Sequence, residues 1–213
     1  RCHFIDVVIS ARNDDNRKCA AMTVNLASGA VSGAHTATLT SVENVSTGSG
    51  ADTIVTSAGN NTVSTGAGAD MITASAGTDA IDGGADFDTV SFAGDRGGYT
   101  VTWDGTTATV DDGAGNVTSV TNAGLLDFAT GGNVHLVGGT GDYATIQSAV
   151  DVAGNGDEIL VSAGTYTEQV TVDGFTGLAI TATGAATIMA PTDVTQNGTS
   201  VSGKAINAVV AVN

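Results

Sequence analysis

TGSGADTIV, TSAGNNTVS, TGAGADMIT, ASAGTDAID and GGADFDTVS run from Thr47 to Ser91 as five nine-residue units without an insertion. The fourth place holds Gly50, Gly59, Gly68 and Gly77, then breaks to Asp86. The sixth holds Asp52, Asn61, Asp70, Asp79 and Asp88, and the eighth holds Ile54, Val63, Ile72, Ile81 and Val90. Glycine lets a corner turn its carbonyls toward a cation with no Cβ in the way. Aspartate at the sixth place adds a hard carboxylate oxygen, and calcium takes about six to eight oxygens. The residues that follow read as a short strand with the eighth place turned inward. One Ile or Val per unit makes no core alone, but stacked coils bury a continuous apolar column. Two units close one coil, so alternate units share a side. The second place shows that doubled period, running Gly48, Ser57, Gly66, Ser75 and Gly84.

The pattern resembles G-G-x-G-x-D-x-U-x, the nonapeptide of RTX (haemolysin-type calcium-binding) proteins. The resemblance implies an all-β fold, a parallel β-roll with calcium between same-side corners of neighbouring coils. Units one with three, three with five and two with four then give about three sites. Carbonyls are expected from Gly48, Gly50, Gly66 and Gly68 on one side and from Gly59 and Gly77 on the other. Carboxylates are expected from Asp52, Asp70, Asp79 and Asp88. The side with Asn61 and Asp79 is expected to bind more weakly. Without the ion, stacked carboxylates repel, so folding should depend on calcium. Extracellular modules bind at about 0.1–1 mM, which suits a chain that folds after export. The resemblance therefore implies a secreted or cell-surface protein of a Gram-negative bacterium.

Composition agrees with a narrow solenoid. Among 213 residues there are 30 Gly, one Pro and 4% aromatics, and the apolar residues are too periodic for a disordered chain. The net charge is -16, and between Thr47 and Asp95 there are seven Asp and no Lys or Arg. No basic patch exists to meet phosphate, which excludes nucleic acid as a partner. No apolar run is long enough to span a bilayer.

Four segments follow in order. Residues 1–21 differ from the rest, with both cysteines and Arg1, Arg12, Arg17 and Lys18. This is either a segment of different origin or a small capping strand, Phe4–Ile9. A Cys2–Cys19 disulfide stays open, and Cys2, His3 and Cys19 lack zinc-ligand spacing. Residues 22–91 hold lead-in strands at Thr23–Leu26, Ala37–Leu39 and Val42–Val45, then the repeats. The phrase TLTSVENVSTG (Thr38–Gly48) is similar to what precedes RTX repeats. Glu43 is read there as a solvent-facing strand residue, with a ligand as the alternative, and His35 as a loop residue.

Residues 92–138 hold a hairpin, Tyr99–Trp103 and Thr107–Val110 about Asp104 and Gly105, and a strand at Val117–Val120. They resemble the β cap that follows RTX repeats. Phe92, Tyr99, Val101, Leu125, Leu126 and Phe128 are its expected core. Trp103 is read as packing rather than a sugar platform, and Arg96 as reaching a carboxylate. Residues 139–213 open with apolar residues Ile146, Ala149, Val150 and Ala153 on one helical face. Strands are expected at Glu158–Val161, Gln169–Val172, Leu178–Thr181, Thr187–Met189 and Ile206–Val212, with a loop at Gln196–Gly203. With the phrase AGTYTEQVTV, the segment resembles the entry to a right-handed parallel β-helix of the pectate-lyase-like kind. It has few coils and reads as the front of a longer protein.

No catalytic constellation is visible. His3, His35 and His135 lie in unrelated contexts, His135 as a strand residue at a junction. No G-x-S-x-G elbow occurs. Calcium-assisted hydrolysis would need an incompletely coordinated ion at a frayed end of the roll, near Asp86 and Asp88. The leading reading is a calcium-binding structural or adhesive module of a larger exoprotein, with polysaccharide or a cell surface as partner. The alternative is the export and folding module of a carbohydrate-active β-helix enzyme, a lyase, hydrolase or epimerase. The apolar stretch Ala208–Val212 suggests end-to-end self-association through an unpaired strand edge.

Overall fold

The computed structural model describes residues 6–8, 21–33, 36–189, 195–196, 199–200 and 205–206. Each repeat unit places its glycines in a corner and its β-branched residues in a strand, as the pleat favours branched side chains and glycine weakens it. Ahead of the repeats lie Asp6–Val8 (β1), Met22–Asn25 (β2), Ala30–Gly33 (β3), Ala37–Thr38 (β4) and Asn44–Ser46 (β5). The repeats supply Thr53–Val55 (β6), Thr62–Ser64 (β7), Met71–Ala74 (β8), Ala80–Asp82 (β9) and the start of Thr89–Asp95 (β10).

These strands alternate between two parallel stacks. One runs β1, β5, β7, β9, with Val7, Val45, Val63 and Ile81 in register. The other runs β2, β6, β8, β10, with Val24, Ile54, Ile72 and Val90 in register. The eighth-place side chains of all five units are at most 2% exposed. Burial of each stabilises the roll by about 2 kcal/mol. This is a parallel β-roll of eighteen-residue coils. Its first coil borrows strands from outside the repeats, β1 and β2.

Beyond the repeats the coil continues. Thr100–Trp103 (β11) and Ala108–Asp111 (β12) form an antiparallel hairpin, followed by Val117–Thr121 (β13) and Leu125–Thr130 (β14). β13 stacks in parallel on β9, Val120 against Ile81, and β14 on β10, Leu126 against Val90. β13 and β14 are thus one more coil, with the hairpin inserted into it. Trp103 is buried with Ala108, Val110 and Val120, so it packs rather than presenting a sugar platform. Phe92, Leu126 and Phe128 are buried in that core, Tyr99 and Val101 pack against it half-buried, and the Leu125 side chain is half-buried.

At β14 the sheet reverses. Val134–Val137 (β15) pairs with it antiparallel, Leu126 against Val134. After a short helix, Ile146–Val150 (α1), the strands Glu158–Val161 (β16), Gly164–Thr167 (β17), Ala179–Ala182 (β18) and Ala186–Met189 (β19) follow. β15, β16 and β18 stack in parallel, as do β17 and β19. A second parallel stack therefore shares a sheet with the roll but runs the other way. It has its own core of Val137, Tyr143, Ile146, Ala149, Val150, Ile159, Val161, Tyr166 and Leu178. Arg96 spans the two, its guanidinium 2.7 Å from Glu158 Oε2 rather than on neighbouring Asp95.

Several sequence expectations change. Gln169–Val172 forms no strand; Gly164–Thr167 does. Tyr166 is the inward residue there, its hydroxyl donating to the Ser162 carbonyl at 3.1 Å. The chain after it serves the helix instead. Glu168 accepts from the N–H groups of Ile146 and Gln147, and Thr171 N–H donates to Gln147 Oε1 at 2.6 Å. β3 and β14 were not foreseen as strands. Cys2, His3, Cys19, His35, Ala208–Val212, most of Gln196–Gly203 and the strand expected beyond Ile206 lie outside the described residues.

Candidate metal centre

The corners stack in two columns. Residues 47–52, 65–70 and 83–88 form one, tied by parallel bridges from Ser49 to Ala67 and from Ala67 to Ala85. Residues 56–61 and 74–79 form the other. Gly66, Gly84, Gly50, Gly68 and Gly77 all have positive φ, the region open to glycine. A Cβ on Gly66 would collide with the Gly48 carbonyl, one on Gly84 with that of Gly66, and one on Gly77 with that of Gly59. Glycine is therefore demanded where a coil lies beneath. Gly48, first in its column, has open space around its would-be Cβ. Asp86 holds a fourth-place position with φ 76, a conformation that costs a residue with a Cβ about 1–2 kcal/mol.

The sixth-place carboxylates form a ladder. Asp52 N–H donates to Asp70 Oδ1 at 2.6 Å, Asp70 N–H to Asp88 Oδ1 at 2.8 Å, and Met22 N–H to Asp52 Oδ1 at 2.7 Å. In the other column Asn61 N–H donates to Asp79 Oδ1 at 2.8 Å. All four aspartates are at most 2% exposed. In each, Oδ2 is buried without a hydrogen-bond partner. A buried, unpaired anionic oxygen is costly unless a cation meets it. The cost shows in the acidities. Burial pushes the Asp70 and Asp79 carboxyls up, against the pull of the ladder N–H groups. Burial pushes Asp88 up to about 7, with Asp70, Asp142 and Asp86 adding repulsion.

Threonine at the first place braces the corners. Thr47 donates to the Thr65 carbonyl at 2.8 Å, and Thr65 to the Gly83 carbonyl at 2.6 Å. The Thr65 hydroxyl also stands near Asp70 and eases its rise. Its single hydrogen goes to the Gly83 carbonyl.

Asn61 behaves differently from its aspartate counterparts. Its amide oxygen accepts from Ser57 N–H at 2.9 Å and its Nδ2 donates to the Glu43 carbonyl at 3.0 Å. The amide closes its end of the column with its own donor. Glu43 is half-buried with an unpartnered Oε2, not solvent-facing as its strand position suggested.

The donor set of buried carboxylate oxygens over glycine corners fits calcium, a hard cation that takes oxygen ligands. Among the described residues, no three His, Cys, Asp or Glu side chains form a metal cluster, so backbone carbonyls must complete any site. The family model of the RTX calcium-binding nonapeptide repeat, in four copies, matches residues 46–81 and 55–90. The chain carries an RTX calcium-binding repeat array. No curated protein and no solved structure matches the chain. Among the described residues no helix is long and apolar enough to cross a membrane.

The end of the RTX roll is not frayed, contrary to the condition set for hydrolysis at Asp86 and Asp88. Asp88 is fully buried, and its N–H donates to Asp142 Oδ2 at 2.9 Å. Asp142 thus supplies the next rung of the ladder from outside the repeats. Its only sequence signal is the corner-like run Gly138, Gly139, Thr140, Gly141, Asp142.

Beside the junction lies a cleft of about 620 Å³, walled by Phe87, Leu125, Tyr143 and Val152, with His135 and Asp157 at its base. His135 is buried in β15, as its strand position implied. Its Nε2 lies 2.9 Å from Asp157 Oδ2 and its Nδ1 3.2 Å from the Tyr143 hydroxyl. Asp157 also accepts from Asn133 N–H and Gly154 N–H. Both ring nitrogens are engaged, and the trio pins β15 to the loop after α1. Burial, with Asp142 and Asp157 nearby, pushes the Tyr143 hydroxyl up to about 12.

Proposed function

We propose that the chain is a calcium-dependent structural module of a secreted or cell-surface protein, adhesive in role and Gram-negative in origin. The observation that carries this reading is the set of buried, unpartnered Oδ2 atoms on Asp52, Asp70, Asp79 and Asp88. About three ions lie between same-side corners. Carbonyls come from Gly48, Gly50, Gly66 and Gly68 in one column and Gly59 and Gly77 in the other. Asn61 makes the second column the weaker binder. Calcium outside the cell loads the corners, and the roll folds there because metal binding and folding are linked. The division at residues 21, 91 and 138 belongs to the same reading, with 22–91 as the calcium-bearing unit.

Far-UV circular dichroism with chelator and with millimolar calcium tests this. A β signal that appears only with calcium supports it, and the same signal in both sinks it. A second reading, a folding module for a carbohydrate-active enzyme, draws on the cleft between Phe87 and Val152. Calorimetric titration with neutral and acidic oligosaccharides, with saturable binding lost on Tyr143→Ala, would favour it.

A further inference from the structure

The first-place brace fails at the last corner. Thr47 and Thr65 each donate to the next first-place carbonyl, but the third member of that series is Gly83, which has no hydroxyl. The carbonyl beyond it is that of Asn122, in the short turn between β13 and β14. A Cβ on Gly83 would collide with both the Asn122 carbonyl oxygen and Asp88 Oδ2. Both oxygens therefore crowd the Cα of Gly83, whose own N–H goes to the Thr121 carbonyl. Asp88 is fully buried, at 0% exposure, and its Oδ2 has no partner. A buried anionic oxygen set near a carbonyl, with no donor to either, is costly unless a cation meets them.

The turn after β13, Asn122 to Gly124, has three residues where each repeat corner has six, and it carries no sixth-place carboxylate. Asp142 takes that role. Its Oδ2 accepts the Asp88 N–H as Asp70 Oδ1 accepts that of Asp52. A Cβ on Gly124 would lie 3.0 Å from Asp142 Cβ, so Asp142 sits directly over the shortened turn.

We propose that this junction is a calcium site of its own, held by Asp88, the Asn122 carbonyl and Asp142. It rests on calcium loading of the repeat corners but adds a ligand that no repeat contains. Asp142 precedes the helix and opens the second parallel stack. An ion here ties that stack to the loaded roll, and the second half of the chain orders only after the first. The two carboxylates and surrounding carbonyls make an oxygen-only site, suited to calcium and to lanthanides rather than to zinc.

The test is calcium stoichiometry by equilibrium dialysis on the full chain and on Asp142→Asn, which keeps an acceptor for Asp88 N–H. The expected result is one calcium fewer per chain, with the remaining ions and the calcium-induced β signal retained. Equal stoichiometry at equal affinity overturns the proposal. A wild-type chain that folds without calcium would instead sink the reading of the repeats. Terbium gives a second measurement should Asp142→Asn fail to fold. Tyr143, next to Asp142, should sensitise a terbium ion at the junction, so Tyr143→Phe should lower sensitised emission without lowering the number of ions bound. Undiminished emission from Tyr143→Phe counts against the junction site.

Discussion

Asp52 and Asp70, one coil apart, are joined by a 2.6 Å bond from the backbone N–H of the first to Oδ1 of the second. That bond divides each carboxylate. One oxygen continues the backbone ladder between coils, and the other is buried without a partner. Under the proposed function the ion takes that second oxygen, which would make coil stacking and calcium affinity inseparable in the native sequence.

Replacing Asp70 by Asn should separate them. The amide oxygen can still accept from Asp52 N–H, and its Nδ2 brings a donor, as Asn61 does toward Glu43. Calcium affinity should fall by about tenfold, about 1.4 kcal/mol. Calcium titration followed by far-UV circular dichroism should move the folding midpoint of Asp70→Asn to higher calcium than that of the native chain. An unshifted midpoint would contradict the shared-oxygen account.

If calcium takes these oxygens as proposed, proton and calcium compete for them. Asp70, Asp79 and Asp88 have folded-state pKa values raised from 3.8, Asp88 to about 7. The folded state then holds protons that the unfolded chain has released. By linkage the calcium-free roll loses stability as pH climbs from about 4 toward 7. With calcium the order reverses, since protonation evicts the ion. Far-UV circular dichroism should show the calcium-free chain gaining β signal as pH falls from about 7 toward 4, and the calcium-loaded chain losing it.

Glycine demand depends on what lies beneath. Gly66→Ala forces a Cβ into the Gly48 carbonyl at φ 98, and should cost about 2 kcal/mol or more. Gly48→Ala meets open space and should stay within about 0.5 kcal/mol of the native chain. Denaturant unfolding of both variants in saturating calcium measures the difference. Equal costs would mean that the corners do not stack as described.

The second stack should answer acid with the other sign. Burial pushes the Asp157 carboxyl up, but the N–H groups of Asn133 and Gly154 and the His135 ring outweigh it and leave it below its usual value. Its stabilising effect is present at neutral pH and is lost as pH falls below the usual carboxylate range. Asp157→Ala strands His135 and should cost about 3 kcal/mol. Hydrogen exchange should rise across residues 133–161 and leave the repeat strands protected in calcium.

The repeat roll was legible because its physics is local. A corner needs glycine, a cation needs aspartate and a narrow core needs one branched residue. All three recur at fixed spacing, so order along the chain carries the register of Ile54 on Ile72 and Val63 on Ile81. His135 was also legible from its strand context, and Trp103 as packing because an aromatic side chain supplies buried area. What lay beyond periodicity was settled by contacts between distant residues. The corner-like run from Gly138 to Asp142 hints at a turn, but nothing in it announces that Asp142 meets Asp88 across 54 positions. The hairpin inside the last coil, the reversal at β14 and β15, and the diversion of Gln169–Val172 to the helix each depend on which backbone groups find partners in three dimensions. Spacing can specify a contact repeated every coil, but a contact made once leaves no period to read.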